Sequence, residues 1–236
     1  MYQTYIPNTN FVKHTRIHCY LGYNCNIECE FCTNRLYESK PTRDVVQKTI
    51  ETINALDIDD NDTVIHLSGG ELYQDDFDIS IYHPLLQLRP QIPKSTITNL
   101  LYNNIDRCID LWKQYNMEVW TSYDSKGRFK NNDMLELWIN NLQYIKSKGI
   151  APIINIIATP FSNNDSRVDY LCENNKVFFS PLENKAGNIV LLNLYHQMIR
   201  SHKCLNVDVE NYSCQVININ DTYVNKFCNI VDVKSV

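Results

Sequence analysis

Apolar residues recur along this chain with two periods that take turns. Short β-branched runs predict strands over "RIHCYL" (16–21), "DTVIHLS" (62–68), "STITNLL" (95–101), "MEVWTSYD" (117–124), "APIINIIATP" (151–160) and "KVFFSPL" (176–182). Between them, apolar positions three and four residues apart predict helices over 42–57, 104–116, 132–149, 165–175 and 188–200. In the first helix Val46, Ile50 and Ile53 share a face and Thr42 is placed to cap the N-terminus. The clearest helix carries a stripe of Leu135, Trp138, Leu142 and Ile145, and Gly149 follows as its stop. The stretch "DDFDISIYHPLLQL" (75–88) is helical only in part, because Pro84 limits it.

Strictly alternating strands and helices predict an α/β fold with a parallel sheet and crossover helices. Six such units are too few for a closed eight-stranded barrel. A doubly wound sheet and an open, partial barrel both fit. In either, function belongs at the C-terminal ends of the strands. After residue 202 the helical period stops. "SCQVININ" and "TYVNKFC" alternate around Asn220-Asp221, which predicts a hairpin. The expected organisation is therefore a main unit over 1–201 and a small β-rich extension over 202–236.

Composition narrows the function classes. The 236 residues are 44% hydrophobic and 21% charged, as expected of a globular domain of ordinary composition. A net charge of −5 argues against gripping nucleic acid through its phosphates. The first residues, "MYQTYIPNTNFVKHTR", lack the apolar core of a signal peptide, and no run reaches membrane-spanning length. Nine cysteines without such a signal predict a reducing, cytoplasmic setting, where clustered thiols bind metals or act in catalysis.

Cys25, Cys29 and Cys32 lie directly after the first predicted strand, in "GYNCNIECEFCTN". Three thiolates in one loop can hold three irons of a [4Fe–4S] cube and leave the fourth open to a ligand. Two other readings stay open on spacing alone: a zinc site completed by a distant His or Cys, and three unconnected thiols. Cys19 and Cys108 fall inside a strand and a helix and are expected in the core. His66 either faces the pocket or is a hydrogen-bonded core histidine. Lys126 and Arg128 are loop cations near the expected pocket mouth.

The spacing C-x3-C-x2-C, with Phe31 before the last cysteine, resembles the radical S-adenosylmethionine (SAM) enzymes. "HLSGGELYQ" looks like that family's Gly-Gly-Glu motif, at Gly69, Gly70 and Glu71. "TITNLL", with Asn99, and "VWTSYDS", with Ser122 and Asp124, resemble its third and fourth strands. The resemblance covers roughly residues 13 to 200 and implies a partial (β/α)6, TIM-like barrel.

It further implies a [4Fe–4S] cluster on the three cysteines, with SAM chelating the open iron. Reductive cleavage of SAM would yield a 5′-deoxyadenosyl radical that takes hydrogen from a substrate. Gly69 and Gly70 would admit the methionine end of SAM, and Glu71 would hold the loop or the SAM ammonium. Asn99 would meet the carboxylate or ribose, Ser122 and Asp124 the ribose hydroxyls, and Phe31 the adenine. A reductant such as a flavodoxin or ferredoxin would be the partner. In the fifth strand "IINIIATP" lacks the glycine many members place beneath the adenine.

The extension, with Cys204, Cys214 and Cys228, resembles shortened auxiliary-cluster ("twitch") extensions and implies a possible second [4Fe–4S] cluster, with His202, Cys172 or substrate as fourth ligand. The turn glycine of that pattern is missing, and three separate thiols remain the other reading. With such a cluster the substrate would be a peptide or protein side chain. Without it, the size resembles 7-carboxy-7-deazaguanine synthase-like enzymes acting on a small heterocycle. A SAM-binding sensor or partner-binding module is the reading from a different class.

Overall fold

A computed structural model describes residues 15–29, 32, 39–124, 126–183, 189–190, 192–202, 204 and 215–219. Six parallel strands stand side by side in chain order: β1 (Thr15–Tyr20), β2 (Thr63–Ser68), β3 (Lys94–Thr98), β4 (Glu118–Tyr123), β5 (Ile153–Ala158) and β6 (Lys176–Glu183). The helices between them are α1 (Arg43–Ala55), α2 (His83–Gln87), α3 (Asp106–Gln114), α4 (Asn132–Ser147), α5 (Pro160–Asn163), α6 (Ser166–Asn174) and, after β6, α7 (Leu192–Ser201). This is a mixed α/β fold with the parallel sheet of a partial, TIM-like (β/α)6 barrel. Two further strands extend its edges. β7 (Ile189–Val190) pairs antiparallel with β6, and β8 (Gln215–Ile219) pairs parallel with β1.

The local signals explain the element ends. Thr42 caps α1 by accepting from the Val45 N–H, and Gly149 turns the chain after α4 at a φ of +84°. β3 stops at Thr98, earlier than its apolar run, because side chains take over the backbone. The Thr98 hydroxyl accepts from the Leu100 N–H and Asn99 Oδ1 from the Leu101 N–H, with Leu100 at a φ of +57°. β5 ends at Ala158, since Thr159 caps the helical turn that begins at Pro160. The helix predicted over 188–200 starts only at Leu192. Ile189 and Val190, both β-branched, pair with Glu183 and Leu182 instead.

The extension differs in part from its prediction. Gln215–Ile219 does form a strand, but its partner is β1, with Arg16 opposite Val216 and His18 opposite Asn218. The predicted return strand of the hairpin lies outside the described residues.

The strands separate two environments. Ile17 and Cys19 of β1 and Ile65 and Leu67 of β2 are fully buried. They form one core with Val46 and Ile53 of α1, Ile109 and Trp112 of α3, and Trp138 and Ile145 of α4. Alternate residues point the other way. On that inner face Arg16, His18, Tyr20, His66 and Ser68 are only half-buried. The helices thus cover the outer face, and the concave face keeps accessible surface. No helix among the described residues is long and apolar enough to cross a membrane.

Candidate functional site

The cysteine loop leaves β1 and lies across the C-terminal ends of β2 and β3. It is fastened by main-chain bonds. Leu21 N–H donates to Ser68 O (3.2 Å), Gly70 N–H to Gly22 O (2.8 Å) and Glu71 N–H to Asn24 O (2.9 Å). Tyr23 and Asn24 N–H both donate to Ser39 O, at 2.7 and 3.1 Å. Glycine is required where these backbones cross. A Cβ on Gly69 would lie 2.0 Å from Gly22 O, and one on Gly70 would lie 2.1 Å from Asn24 O. Gly69 also has a φ of +136°, which side-chain-bearing residues avoid. The close approach expected of this pair is therefore made first by the cysteine loop itself.

Glu71 joins the ends of β2 and β3. It is buried, and its carboxylate accepts from Asn99 N–H (2.5 Å), the Thr98 hydroxyl (3.0 and 3.1 Å) and Tyr73 N–H (3.2 Å). Burial pushes its pKa up to about 7, against the pull of those donors and of the Arg128 charge. These bonds tie the carboxylate to the end of β3 and to Tyr73.

Asn99 completes the fastening. Its Nδ2 donates to Asn26 Oδ1 (2.7 Å) and approaches Cys25 Sγ at 3.6 Å, while Asn26 Nδ2 donates to Leu101 O. Asn141 of α4 holds the same turn from below, through Leu100 O (2.8 Å) and Tyr102 O (3.0 Å). Neither Asn26 nor Asn141 stands out in the sequence. Their partners are 75 and 41 residues away, and no local signal reports such a pairing. Removing the Asn99 amide should loosen this knot. Asn99→Ala is expected to cost about 1–3 kcal/mol, for the loss of side-chain bonds at a mostly buried site. Denaturant melts of the metal-free protein would measure it; a change under 0.5 kcal/mol would show that the amide holds nothing.

Cys25 is exposed, Cys29 buried and Cys32 half-buried, and all three are free thiols. Cys32 N–H donates to Cys29 O (3.1 Å), so the last two share a tight turn. Cys25 responds to the charges of Cys29 and Cys32, and Cys29 to that of Cys32, which places the three in one neighbourhood. Desolvation raises Cys25 to about 11, opposed by the Ile27 N–H and reinforced by Glu71, Cys29 and Cys32. It raises Cys29 too, against the nearby Arg128. Among the described residues no three His, Cys, Asp or Glu side chains close on a point fit for a single metal ion. Three soft thiols carried by one loop are the donor type that zinc and iron–sulfur clusters both take.

Ser122 and Asp124 close β4 on the same edge. Ser122 is buried and stands beside Asn155, whose Oδ1 accepts from the Ser180 hydroxyl at 2.7 Å. Asp124 is fully buried, and its Oδ1 lies 3.5 Å from the Ser162 hydroxyl. The charges of Asp124 and Arg128 both reach Cys29, so the end of β4 adjoins the cysteine loop. Lys130 of the same segment pairs with Glu28 of the loop at 3.0 Å. Phe31 lies outside the described residues.

Of the extension's cysteines, Cys204 is half-buried against the core and near Cys172 of α6, while Cys214 and Cys228 lie outside the described residues. His202 already uses both ring nitrogens, on Met198 O (2.9 Å) and Asp169 (3.1 Å).

No family model matches the chain, and no curated protein matches it. Ten solved chains do. One is native anSMEcpe with bound AdoMet and Cp18Cys peptide, similar over 72% of this chain with a TM-score of 0.53 and 15% identity. The match takes in 51% of that protein, so this chain spans about half its length. At such identity the likeness is one of fold.

Proposed function

We propose that this protein is a radical SAM enzyme, with its [4Fe–4S] cluster on Cys25, Cys29 and Cys32. The observation that carries the reading is the three-cysteine loop docked, backbone to backbone, on Gly69-Gly70-Glu71 at the C-terminal edge of a partial barrel. A fold shared with a protein that holds AdoMet and a peptide supports it. When bound, the cluster and SAM would supply reductive cleavage of the sulfonium C–S bond and a 5′-deoxyadenosyl radical that takes hydrogen from the substrate.

The chain's own residues have the remaining tasks. Glu71, through its N–H on Asn24 O, and Asn99, through its amide on Asn26, fasten the loop beside Cys25. Burial holds the Cys25 and Cys29 thiols protonated, so both release protons as iron binds. Ser122, Asp124 and Asn99 line the adjoining strand ends, where hydroxyl, carboxylate and amide groups would orient a nucleoside and an amino acid. Arg128, buried beside Cys29, offsets the charge of the thiolates. A low-potential flavodoxin or ferredoxin would be the electron donor. The substrate would be a peptide or protein side chain, by the likeness to the peptide-bound neighbour. A second cluster at Cys204, Cys214 and Cys228 is not part of this proposal.

Anaerobic reconstitution tests the reading directly. The protein is expected to take up about four irons and four sulfides per chain, the content of one cube. With dithionite and SAM it should release methionine and 5′-deoxyadenosine. A loaded protein that binds SAM and never cleaves it would be a sensor or binding module. A protein that takes up only zinc would end the proposal.

A further inference from the structure

The inner face of the barrel has an unexpected composition. A filled barrel is packed with branched apolar side chains. Here the register sets His18, His66, Ser95 and Glu118 side by side across β1 to β4, all on the concave face. The two imidazole rings lie 4.9 Å apart, tilted by 49°. His66 Nδ1 is 2.8 Å from the Ser95 hydroxyl. Arg16, two residues before His18, sits 6.0 Å over the Trp120 ring, and Trp120 Nε1 donates to Glu118 at 2.7 Å.

This arrangement does not look like a satisfied core. A histidine kept for packing has its nitrogens paired, since unpaired buried polar groups are costly. The ring nitrogens of His18 make no hydrogen bond among the described residues, and the side chain keeps accessible surface. Nor is it a metal site, since no three ligating side chains converge there among the described residues. Among the described residues, the Arg16 charge reaches both rings, and Arg16 and Lys176 both act on Glu118.

We propose that the inner wall formed by Arg16, His18 and His66 binds an oxyanion, a carboxylate or phosphate group of the molecule on which the protein acts. Arg16 supplies the fixed charge and the two rings supply N–H donors. Burial and the Arg16 charge hold His18 down to about 4, and burial, His18 and Arg16 hold His66 well below its usual value. Both rings are thus neutral until an anion arrives. The anion reverses the local field, and the rings take up a proton as it binds. That the oxyanion belongs to the substrate rests on the function proposed above; the binding itself does not.

Calorimetric titration of the reconstituted holoprotein tests it, with sodium sulfate and separately sodium acetate, near pH 6.5 and at constant ionic strength. Two buffers of different ionisation enthalpy report proton uptake. Saturable binding with uptake of up to about one proton is expected. Tighter sulfate assigns a phosphate-like group, tighter acetate a carboxylate. Arg16→Gln should weaken binding on the order of tenfold. His18→Asn/His66→Asn should bind more weakly and lose the proton uptake, which gives a second reading if Arg16→Gln does not fold. No saturable binding of either anion to the wild-type holoprotein overturns the inference. So does binding without proton uptake that the folded variants leave unchanged. 5′-Deoxyadenosine formation in the same preparation is measured apart. Cleavage of SAM without anion binding sinks this inference alone, and anion binding without cleavage sinks the function alone.

Discussion

The variant Cys25→Ala/Cys29→Ala/Cys32→Ala is expected to release no 5′-deoxyadenosine above the enzyme-free background under dithionite. It should keep its fold. The loop is held by main-chain bonds from Leu21, Gly70 and Glu71, and none of them uses a thiol. Three of the other described cysteines, Cys19, Cys108 and Cys172, are poor substitutes. Cys19 and Cys108 are fully buried, and burial raises both thiols to about 12, far from the thiolate that iron requires. Cys172 is raised to about 12 in the same way. Undiminished product in this variant would remove the cluster from the loop. Its residual iron also decides the extension. About four irons with a [4Fe–4S] spectrum would place a second cluster among Cys204, Cys214 and Cys228. No iron, under conditions that load the wild type, would leave them as ordinary thiols.

What was legible in the sequence was what neighbours in the chain decide. Thr42 reaches only to Val45, and the stripe of α4 repeats every turn, so both could be read directly. The partner of β8 could not. "QVINI" has the alternation of any half-buried strand, and pairing with β1 joins residues 200 positions apart, Thr15 with Gln215. Two turn residues at 220–221 made a local hairpin the simpler expectation. Glycine 69 and 70 were visible as glycines, but not what crosses them. The polar inner wall was written plainly, as Arg16, His18 and Tyr20 alternating with Ile17 and Cys19. Its meaning depends on which face the helices cover, and only the packed sheet shows that.

Gly70→Ala is expected to unseat the cysteine loop. The new methyl carbon would lie 2.1 Å from Asn24 O and 2.5 Å from Tyr23 O. Both are main-chain oxygens, so no side chain can swing aside. The loop must lift, and lifting it breaks the bonds from Gly70 N–H to Gly22 O and from Glu71 N–H to Asn24 O. Overpacking costs about 1–3 kcal/mol, and each lost bond about 1 kcal/mol more, so the total is about 3–5 kcal/mol. Against a whole stability of roughly 5–15 kcal/mol that is a large fraction. Iron loading should fall with it, because displaced thiols no longer share one neighbourhood. Gly149→Ala is the control. Its φ is +84°, yet nothing lies within 4 Å of the added carbon. It should cost only the roughly 1–2 kcal/mol of a left-handed backbone, with iron uptake intact. Denaturant melts and iron content of the two variants separate the causes. If Gly70→Ala costs no more than Gly149→Ala and loads a full cube, the crossing of the two backbones is not what holds the site.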